Sequence, residues 1–332
     1  MKLPGFPFVV LDTETTGFVP KVHRVMEFAS MGVEKGEVVD TYEALFAAKD
    51  IPPVVQVLTR IRPEALAGKK MIEEHQKEIF DHVPEGALLV GQNLAFDLGM
   101  LKGHGFDFSG RPWIDTSLLA SLVFPELQSY SLGYLSRVLN LDHSPQHRAL
   151  GDVRATLELL SAVWERLLEL PTDMLEEAKE VMSRAPEGYR KLFEALPASK
   201  KRERPEWMKS RGRGSPKDAV ETFELPEAEK GSVTLLEEPL SPSFVERLVA
   251  SANGEKESNW FAVKNMDAFL RRSGLALEGK THRVLWSAYQ ILDQDSAKAL
   301  AEQKEFTAEE ATLLLKIMWL APKVRSEMPV HG

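Results

Sequence analysis

The N-terminal half of the chain alternates between short apolar runs and amphipathic segments. The apolar run at residues 7–12 (PFVVLD) predicts a buried strand, and residues 28–46 predict a hairpin around Glu34, Lys35 and Gly36. Residues 63–82 carry helical spacing, and residues 86–91 (GALLVG) predict another buried strand. A helix is expected over residues 95–104, ending at Gly105. Strands and helices therefore follow one another along this half.

Three further segments extend this alternation. Residues 113–124 (WIDTSLLASLVF) follow the second buried run, a helix begins near Ser131, and a long helix covers about residues 150–168. Strands alternating with helices predict layers of helix packed on a sheet. The fold class expected for residues 1–170 is therefore α/β.

Periodicity and composition change after Pro171, which divides the chain into three expected regions. Residues 1–170 form the first domain, residues 171–230 are helical and then become a basic linker, and residues 231–332 form a mainly helical accessory domain. The basic segment holds eight cations and one Trp: Lys200, Lys201, Arg202, Arg204, Trp207, Lys209, Arg211, Arg213 and Lys217. It fits either a solvated linker or a nucleic-acid contact, with cations for phosphate and an aromatic ring for base stacking.

The amino-acid composition excludes several kinds of functional site. The chain has 332 residues and no Cys, which excludes disulfide scaffolds, Cys-ligated zinc, thiolate nucleophiles and iron–sulfur clusters. The net charge of -9 argues against a partner held by a generally basic surface. The acid excess is concentrated in residues 1–170, which hold 16 basic and 23 acidic side chains. No signal peptide or membrane-spanning stretch is evident, so we expect a cytoplasmic protein without a membrane partner.

Three acidic motifs follow the predicted elements in order. Asp12 and Glu14 end the first strand, where a period of two places both carboxylates on one face. Asn93 and Asp97 follow the strand at residues 86–91, in positions that also suit a helix N-cap and a first-turn acid. His147 and Asp152 open the long helix at about residue 150. Each motif alone is weak, but all three in this order are specific.

The segments LDTETTG, GQNLAFDLGML and HRALGDVRATLELL resemble the three motifs of the DEDDh, DnaQ-like 3′-to-5′ exonucleases over about residues 7–168. The resemblance implies an RNase H-like fold, with a mixed central sheet flanked by helices. It also implies two divalent cations, Mg²⁺ or Mn²⁺, and a histidine general base. The residues that match these roles are Asp12, Glu14, Asp97 and Asp152 for the metals and His147 for the base. Carboxylate oxygens suit such hard cations, and histidine titrates near neutrality.

The same resemblance gives candidate substrate-binding residues. Thr15, Thr16 and Gly17 follow the first acids, and Asn93 and Phe96 accompany the second motif. The segment Leu58 to Ile61 matches a family L-T-G-I segment near the terminal base, with Arg60 in place of the glycine. This departure leaves the local turn open, and Arg60 is a candidate for contacting phosphate.

Residues 255–332 also show a weak similarity to a region of DinG-type helicases, mostly through apolar helical spacing. No G-x-x-x-x-G-K-[ST] segment is present, so the sequence predicts no ATP site of that kind. An unrelated helical domain fits these residues equally well.

The sequence thus predicts a metal-dependent exonuclease that releases nucleoside 5′-monophosphates from DNA 3′ ends, preferably single-stranded. Two alternatives stay open. One is an RNA-trimming enzyme of the same fold, and the other is a proofreading or repair subunit whose C-terminal half mainly docks a replication or repair protein.

Overall fold

A computed structural model describes residues 1–127, 129–209 and 294–320 of the chain. Five strands form one sheet: β1 (Phe8–Thr15), β2 (Val25–Glu34), β3 (Glu37–Leu45), β4 (Leu88–Gly91) and β5 (Trp113–Asp115). Their order is β3-β2-β1-β4-β5. The pairs β1 with β2 and β2 with β3 are antiparallel, whereas β1 with β4 and β4 with β5 are parallel. The predicted mixed central sheet is confirmed.

Helices flank this sheet on both faces. Those of the first 170 residues are α1 (Pro53–Thr59), α2 (Pro63–Leu66), α3 (Gln76–His82), α4 (Leu94–Gly103), α5 (Thr116–Val123), α6 (Leu132–Leu139) and α7 (Ala149–Leu167). They are followed by α8 (Thr172–Ser183), α9 (Glu187–Glu194), α10 (Glu206–Lys209), α11 (Gln294–Ala301) and α12 (Ala308–Leu320).

The segment with helical spacing at residues 63–82 is divided into three short helices. These are α2, a 3-10 helix at Ile72–His75, and α3. Gly68 interrupts the segment with a positive φ of 74°, a conformation that glycine adopts without a side-chain penalty. The apolar positions still share a face because Ile72 and Ile79 pack into one cluster under the sheet.

The two faces of β1 point into two different cores. Phe8 and Val10 join a large cluster that includes α5 and α7, while Val9 and Leu11 join a second cluster with α3 and α4. This alternation is the period of two expected for a strand that is buried on both faces. It continues at the carboxyl end of β1, where Asp12 and Glu14 fall on the α7 side and Thr13 on the α4 side.

The helices after residue 170 pack against the same core. Met174, Leu175 and Phe193 are buried in the large cluster, together with Phe306 and Trp319 from the C-terminal segment. Specific polar contacts hold the two segments together: Arg184 Nη1 donates to the carbonyls of Ala301 and Gln303 at 2.9 Å, and Phe306 N donates to Arg184 O at 2.8 Å. A fourth contact joins the C-terminal segment to α5, from Lys316 Nζ to Ser121 Oγ at 2.7 Å.

Residues 1–209 and the helices of residues 294–320 accordingly share one compact unit. The domain borders placed at residues 170 and 231 remain predictions. The elements expected between residues 231 and 293 lie outside the described residues.

The first part of the basic segment also contacts this core. Lys201 Nζ donates to Leu168 O at 3.1 Å, and Arg204 Nη1 donates to Trp319 O at 3.3 Å. Trp207 donates through Nε1 to Glu169 at 3.0 Å and lies under the Arg166 guanidinium. Its indole ring therefore already has a cation partner. Arg211, Arg213 and Lys217 lie outside the described residues.

Among the described residues, no helix combines the length and apolar character needed to cross a membrane.

Helix α9 lies so close to the edge strand β5 that only glycine fits at the contact. A Cβ atom on Gly188 would lie 2.3 Å from the backbone oxygen of Trp113. The neighbouring Tyr189 hydroxyl accepts a hydrogen bond from Asp115 N at 3.0 Å, which ties the helix to the end of the strand. The packing of α9 thus fixes the edge of the sheet beside the acidic motifs.

We expect Gly188→Ala to lower the free energy of unfolding by about 1 to 3 kcal/mol, because the added methyl group meets backbone. The matched control is Gly133→Ala in α6, where a Cβ meets nothing within 4 Å. This control should leave stability unchanged or raise it by up to about 1 kcal/mol. Urea denaturation measures both, and equal midpoints would contradict the packing described.

Candidate metal and nuclease site

Four carboxylates from three elements converge at the carboxyl end of β1. Asp12 and Glu14 come from the strand itself, Asp97 from the first turn of α4 and Asp152 from the first turns of α7. Because α4 and α7 cover opposite faces of the sheet, their acids reach the end of β1 from both sides. The predicted set of four acids is brought together.

Electrostatic coupling among the acids reflects this proximity. Burial, followed by repulsion from Asp97 and Asp152, raises the pKa of Asp12 well above its ordinary value. Burial and repulsion from Asp152 raise the pKa of Glu14 to about 8. In the described part of the chain, neither Asp12 nor Glu14 accepts a hydrogen bond or forms an ion pair through its side chain. Neither carboxylate therefore has a direct partner there, although the charge of Arg148 opposes the rise in the pKa of Glu14.

Asp97 is oriented by the strand between the first two acids. Its Oδ1 accepts hydrogen bonds from Thr13 N at 2.9 Å and Thr13 Oγ1 at 2.5 Å. Burial raises the pKa of Asp97 to about 7, although these hydrogen bonds act in the opposite direction. Because side chains alternate along β1, Thr13 points to the face opposite Asp12 and Glu14. From that face it holds Asp97 in place.

Asp152 faces two histidines. Its Oδ1 lies 2.8 Å from His143 Nε2 and accepts a hydrogen bond from the backbone N of His147 at 3.1 Å. Burial raises the pKa of Asp152, and the contact with His143 opposes this rise. Glu14, His147 and Asp152 each offer a ligand atom within 4.8 Å of the others. The predicted base therefore stands at the acidic cluster, on the exposed side.

The loop that carries His147 approaches α7 closely. A Cβ on Gly151 would lie 2.2 Å from the backbone oxygen of Pro145, so a larger residue would push the loop away. His147 itself has a positive φ of 57°. These two features let the loop turn back over the first turn of α7 and bring His147 beside Asp152.

The donor set fits divalent cations. Four carboxylates supply the hard oxygen ligands that Mg²⁺ and Mn²⁺ prefer, and a cation placed among them would relieve the repulsion that raises their pKa values. Repulsion between unpaired buried acids is costly unless a cation offsets it. The four carboxylates therefore fit a site for such cations.

A family model described as Exonuclease (RNase_T) matches residues 9–160 of the chain. Those residues therefore match the exonuclease family model. The resemblance found at the three motifs is thereby confirmed, and all four acids and His147 lie within the exonuclease domain.

Curated relatives match over about half of the chain. The 3′-5′ exonuclease DinG of Bacillus subtilis is 32% identical over 178 residues, which cover 52% of this chain and 19% of that protein. The PolC-type DNA polymerase III of Thermotoga maritima is 33% identical over 180 residues, covering 52% of this chain and 13% of that protein. The chain thus spans less than a fifth of each relative's length through the match. The similarity of residues 255–332 to DinG-type helicases stays a prediction.

Solved structures that resemble part of the chain include two DNA complexes. Exonuclease X in complex with 5′ overhanging duplex DNA is 27% identical, with a TM-score of 0.40, and the match covers 48% of this chain and 91% of that one. Exonuclease I of E. coli in complex with a dT13 oligonucleotide is 20% identical, with a TM-score of 0.45 and coverage of 53% and 44%.

The residues predicted to contact substrate occupy different environments in the exonuclease domain. Thr16 is buried, and its hydroxyl accepts from Arg24 N at 2.9 Å, so it closes the loop after β1. Thr15 Oγ1 donates to the carbonyl of Gly17 at 2.8 Å. Asn93 is exposed at the N-cap of α4 with left-handed backbone, and its side chain caps no N–H. Phe96 is half-buried and lies 6.1 Å, between ring centroids, from the exposed Phe18.

Arg60 keeps the turn that a glycine would form. It ends α1 with φ 60° and ψ 13°, the left-handed region that costs other residues about 1 to 2 kcal/mol. Its exposed side chain lines a surface cavity of about 670 Å³ together with Arg62 and Val57. Arg60 thus has a backbone conformation that glycine adopts without a side-chain penalty, and its side chain adds a cation to the surface.

Sequence reasoning missed three side chains at the site. His143 contacts Asp152, while the buried Glu27 forms an ion pair with the half-buried Arg148 next to Glu14. Arg148 could have been found from the sequence because it directly follows the predicted base His147 in the third motif. Glu27 gave a weaker signal, a single acid within an otherwise apolar strand.

The raised pKa values predict how stability depends on pH in the metal-free exonuclease domain. A group whose pKa is raised on folding stabilises the fold below its ordinary pKa, and this contribution is lost as pH rises through the folded-state value. For Glu14 that window runs from about 4.5 to about 8. We therefore expect the Tm in EDTA to fall between pH 6 and pH 8.5, and to fall less in Glu14→Gln.

The control for this experiment is Glu165→Gln, which alters an exposed acid on α7 and should retain the wild-type slope. Glu73 does not interfere, because its pKa is lowered to about 2 and its effect falls at lower pH. A Tm that rises or stays constant from pH 6 to pH 8.5 would contradict the electrostatics described.

Proposed function

We propose that the chain is a metal-dependent 3′-to-5′ exonuclease that hydrolyses the terminal phosphodiester of DNA, preferably single-stranded, and releases nucleoside 5′-monophosphates. The observation that supports this most directly is the set of four carboxylates at the end of β1 with a histidine beside Glu14 and Asp152. The match of residues 9–160 to the exonuclease family model supports the same chemistry.

In the proposed reaction, Asp12, Glu14, Asp97 and Asp152 hold two divalent cations. When bound, such cations stabilise the attacking and leaving oxygens of an in-line displacement at phosphorus. Two hydrogen bonds from Thr13 to Oδ1 would hold the Asp97 carboxylate in place for this role. The chain's own contribution is thus a set of oxygens in fixed positions.

His147 is the proposed general base. Its side chain is exposed beside the acids, so an imidazole nitrogen can take the proton from an attacking water. The backbone N of His147 is held by Asp152, which ties the base to a proposed metal ligand. The ring can therefore reorient on substrate binding while its backbone stays in place.

Substrate contacts are proposed for Thr15, Thr16, Gly17, Asn93, Phe96 and Arg60. Arg60 and Arg62 place two cations on an otherwise acid-rich domain, next to the exposed apolar side chains of Val57 and Leu58. Such a combination suits a nucleic-acid strand, because cations meet phosphates and apolar surface meets bases. A cytoplasmic location and a replication or repair partner belong to the same proposal.

Replacing Asp12 tests the metal assignment. Asp12→Asn keeps the side-chain volume but removes a charge, so Mg²⁺- or Mn²⁺-dependent degradation of end-labelled single-stranded DNA should fall by at least about 10²-fold. Asp81→Asn, which alters an exposed acid paired with Lys77, is the control and should retain activity. Undiminished activity of Asp12→Asn would overturn the assignment.

The same assay separates the alternatives when matched DNA and RNA oligonucleotides are compared. Faster degradation of RNA would favour the RNA-trimming enzyme. Nucleoside 5′-monophosphates released from the 3′ end support the proposed polarity, whereas products from the 5′ end would contradict it.

Replacing His147 tests the base. We expect His147→Ala to lower kcat by about 10² to 10⁴, the usual contribution of a positioned base. The dissociation constant for DNA, measured with Ca²⁺ in place of Mg²⁺, should change by less than about threefold. A loss of binding that equals the loss of kcat would show that His147 acts as a binding residue instead.

A further inference from the structure

A fully buried glutamate lies directly beside the proposed centre, yet the proposed chemistry does not use it. Glu27 in β2 is the register partner of Glu14 in β1, and its exposed fraction is 0%. Paired residues of antiparallel strands project to the same face, so Glu27 points toward α7, as Glu14 does. Burial of a charge is costly unless it is paired and hydrogen-bonded.

Arg148 and the first turn of α7 satisfy this carboxylate completely. Arg148 Nε donates to Oε1 and Oε2 at 3.0 and 3.1 Å, and Nη2 donates to Oε1 at 2.6 Å. The backbone N of Ala149, the first residue of α7, donates to Oε2 at 2.9 Å. Glu27 thus acts as an N-terminal cap for α7 that is supplied by a neighbouring strand.

The position of Arg148 in the chain links this contact to the proposed centre. Arg148 has extended backbone, with φ -134° and ψ 127°, and follows His147 directly. Since Arg148 is turned inward to Glu27, the preceding loop that carries His147 is held at the open side of the cluster. Asp152 follows one helical turn later, and its backbone N donates to Arg148 O at 3.0 Å.

Packing alone already holds α7 in place. Val153, Leu157, Leu160 and Val163 are buried in the large core cluster. A buried ion pair is seldom needed for stability where neutral residues of similar size could fill the space. What the pair adds is orientation. The planar guanidinium with its fixed fork of donors sets the start of α7 relative to β2, the strand paired with β1.

We propose that Glu27 and Arg148 are positioning residues that set His147 and Asp152 against Glu14. This inference rests on the proposed function and deepens it. It assigns neither residue to contact with substrate or metal. The two side chains act through the backbone of residues 147–152.

The test compares single and double variants of the full chain. Arg148→Lys keeps the charge but loses the forked contact, and we expect kcat on single-stranded DNA to fall by about 10- to 100-fold while KM changes by less than about threefold. Arg154→Met removes a cation from the exposed face of the same helix and should keep the wild-type kcat. Arg148→Lys with unchanged kcat would overturn the inference.

A second comparison separates positioning from stability. Glu27→Gln alone leaves Arg148 without its buried partner and should lower Tm by at least about 5 °C. The double variant Glu27→Gln/Arg148→Met removes both charges and should recover most of that Tm, but kcat should stay at least tenfold below the wild type. Recovery of kcat together with Tm would show a merely structural role.

A readout independent of catalysis distinguishes failure of this inference from failure of the proposed function. Titration of Mn²⁺ without DNA, by calorimetry, should give at least about tenfold weaker binding for Arg148→Lys, because Asp152 is displaced. A wild type that binds Mn²⁺ but does not degrade DNA overturns the proposed function alone, and the inference is then decided by the Mn²⁺ affinities. A wild type that does neither overturns both.

Discussion

The central strand β1 ends in two carboxylates that form no ion pair with any described residue, and much of the surrounding structure serves to hold them together with two more. The resulting repulsion and burial raise the pKa values of Asp12, Glu14 and Asp97. A strand buried on both faces resists the small movements by which these charges would separate. The two helices that deliver Asp97 and Asp152 are anchored in separate cores, so neither acid can retreat without disturbing a packed cluster.

The parts of this site that sequence reasoning found are those in which chemistry and periodicity coincide. Asp12 and Glu14 end an uninterrupted apolar run, and Asp97 and Asp152 stand in first turns of helices. Arg60 could not be read in the same way, because whether an arginine adopts left-handed backbone depends on the packing of Thr59 and Ile61 around it. Glu27 was missed because a strand pattern does not indicate that a distant arginine neutralises a buried acid.

Long-range packing was equally invisible in the sequence after residue 170. Amphipathic spacing predicted helices there, but spacing does not say which surface a helix covers. Tyr189 and Phe193 of α9 and Trp319 of α12 complete the same core as β1. Removal of residues 171–332 would therefore expose this core, and loss of activity in such a truncation would report on folding. A partner-docking role is better examined by removing only residues 210–293.

Carboxylates near the sheet fall into two classes. Some are paired with an arginine and stabilise the fold, and the others are unpaired and form the proposed centre. Glu27 and Glu73 each have an arginine nitrogen at 2.6 Å, so both charges are paired, the first in the interior and the second at the surface. Asp12 and Glu14 have no such partner in the described residues, although Arg148 stands close enough to Glu14 to act against the rise of its pKa. The protein thus places a cation next to the proposed centre, but this cation pairs with Glu27 and, at a longer distance, with Glu43. The charge left unbalanced at the end of β1 has to be met from outside the chain, which is why a net charge of -9 is compatible with a phosphate-bearing substrate.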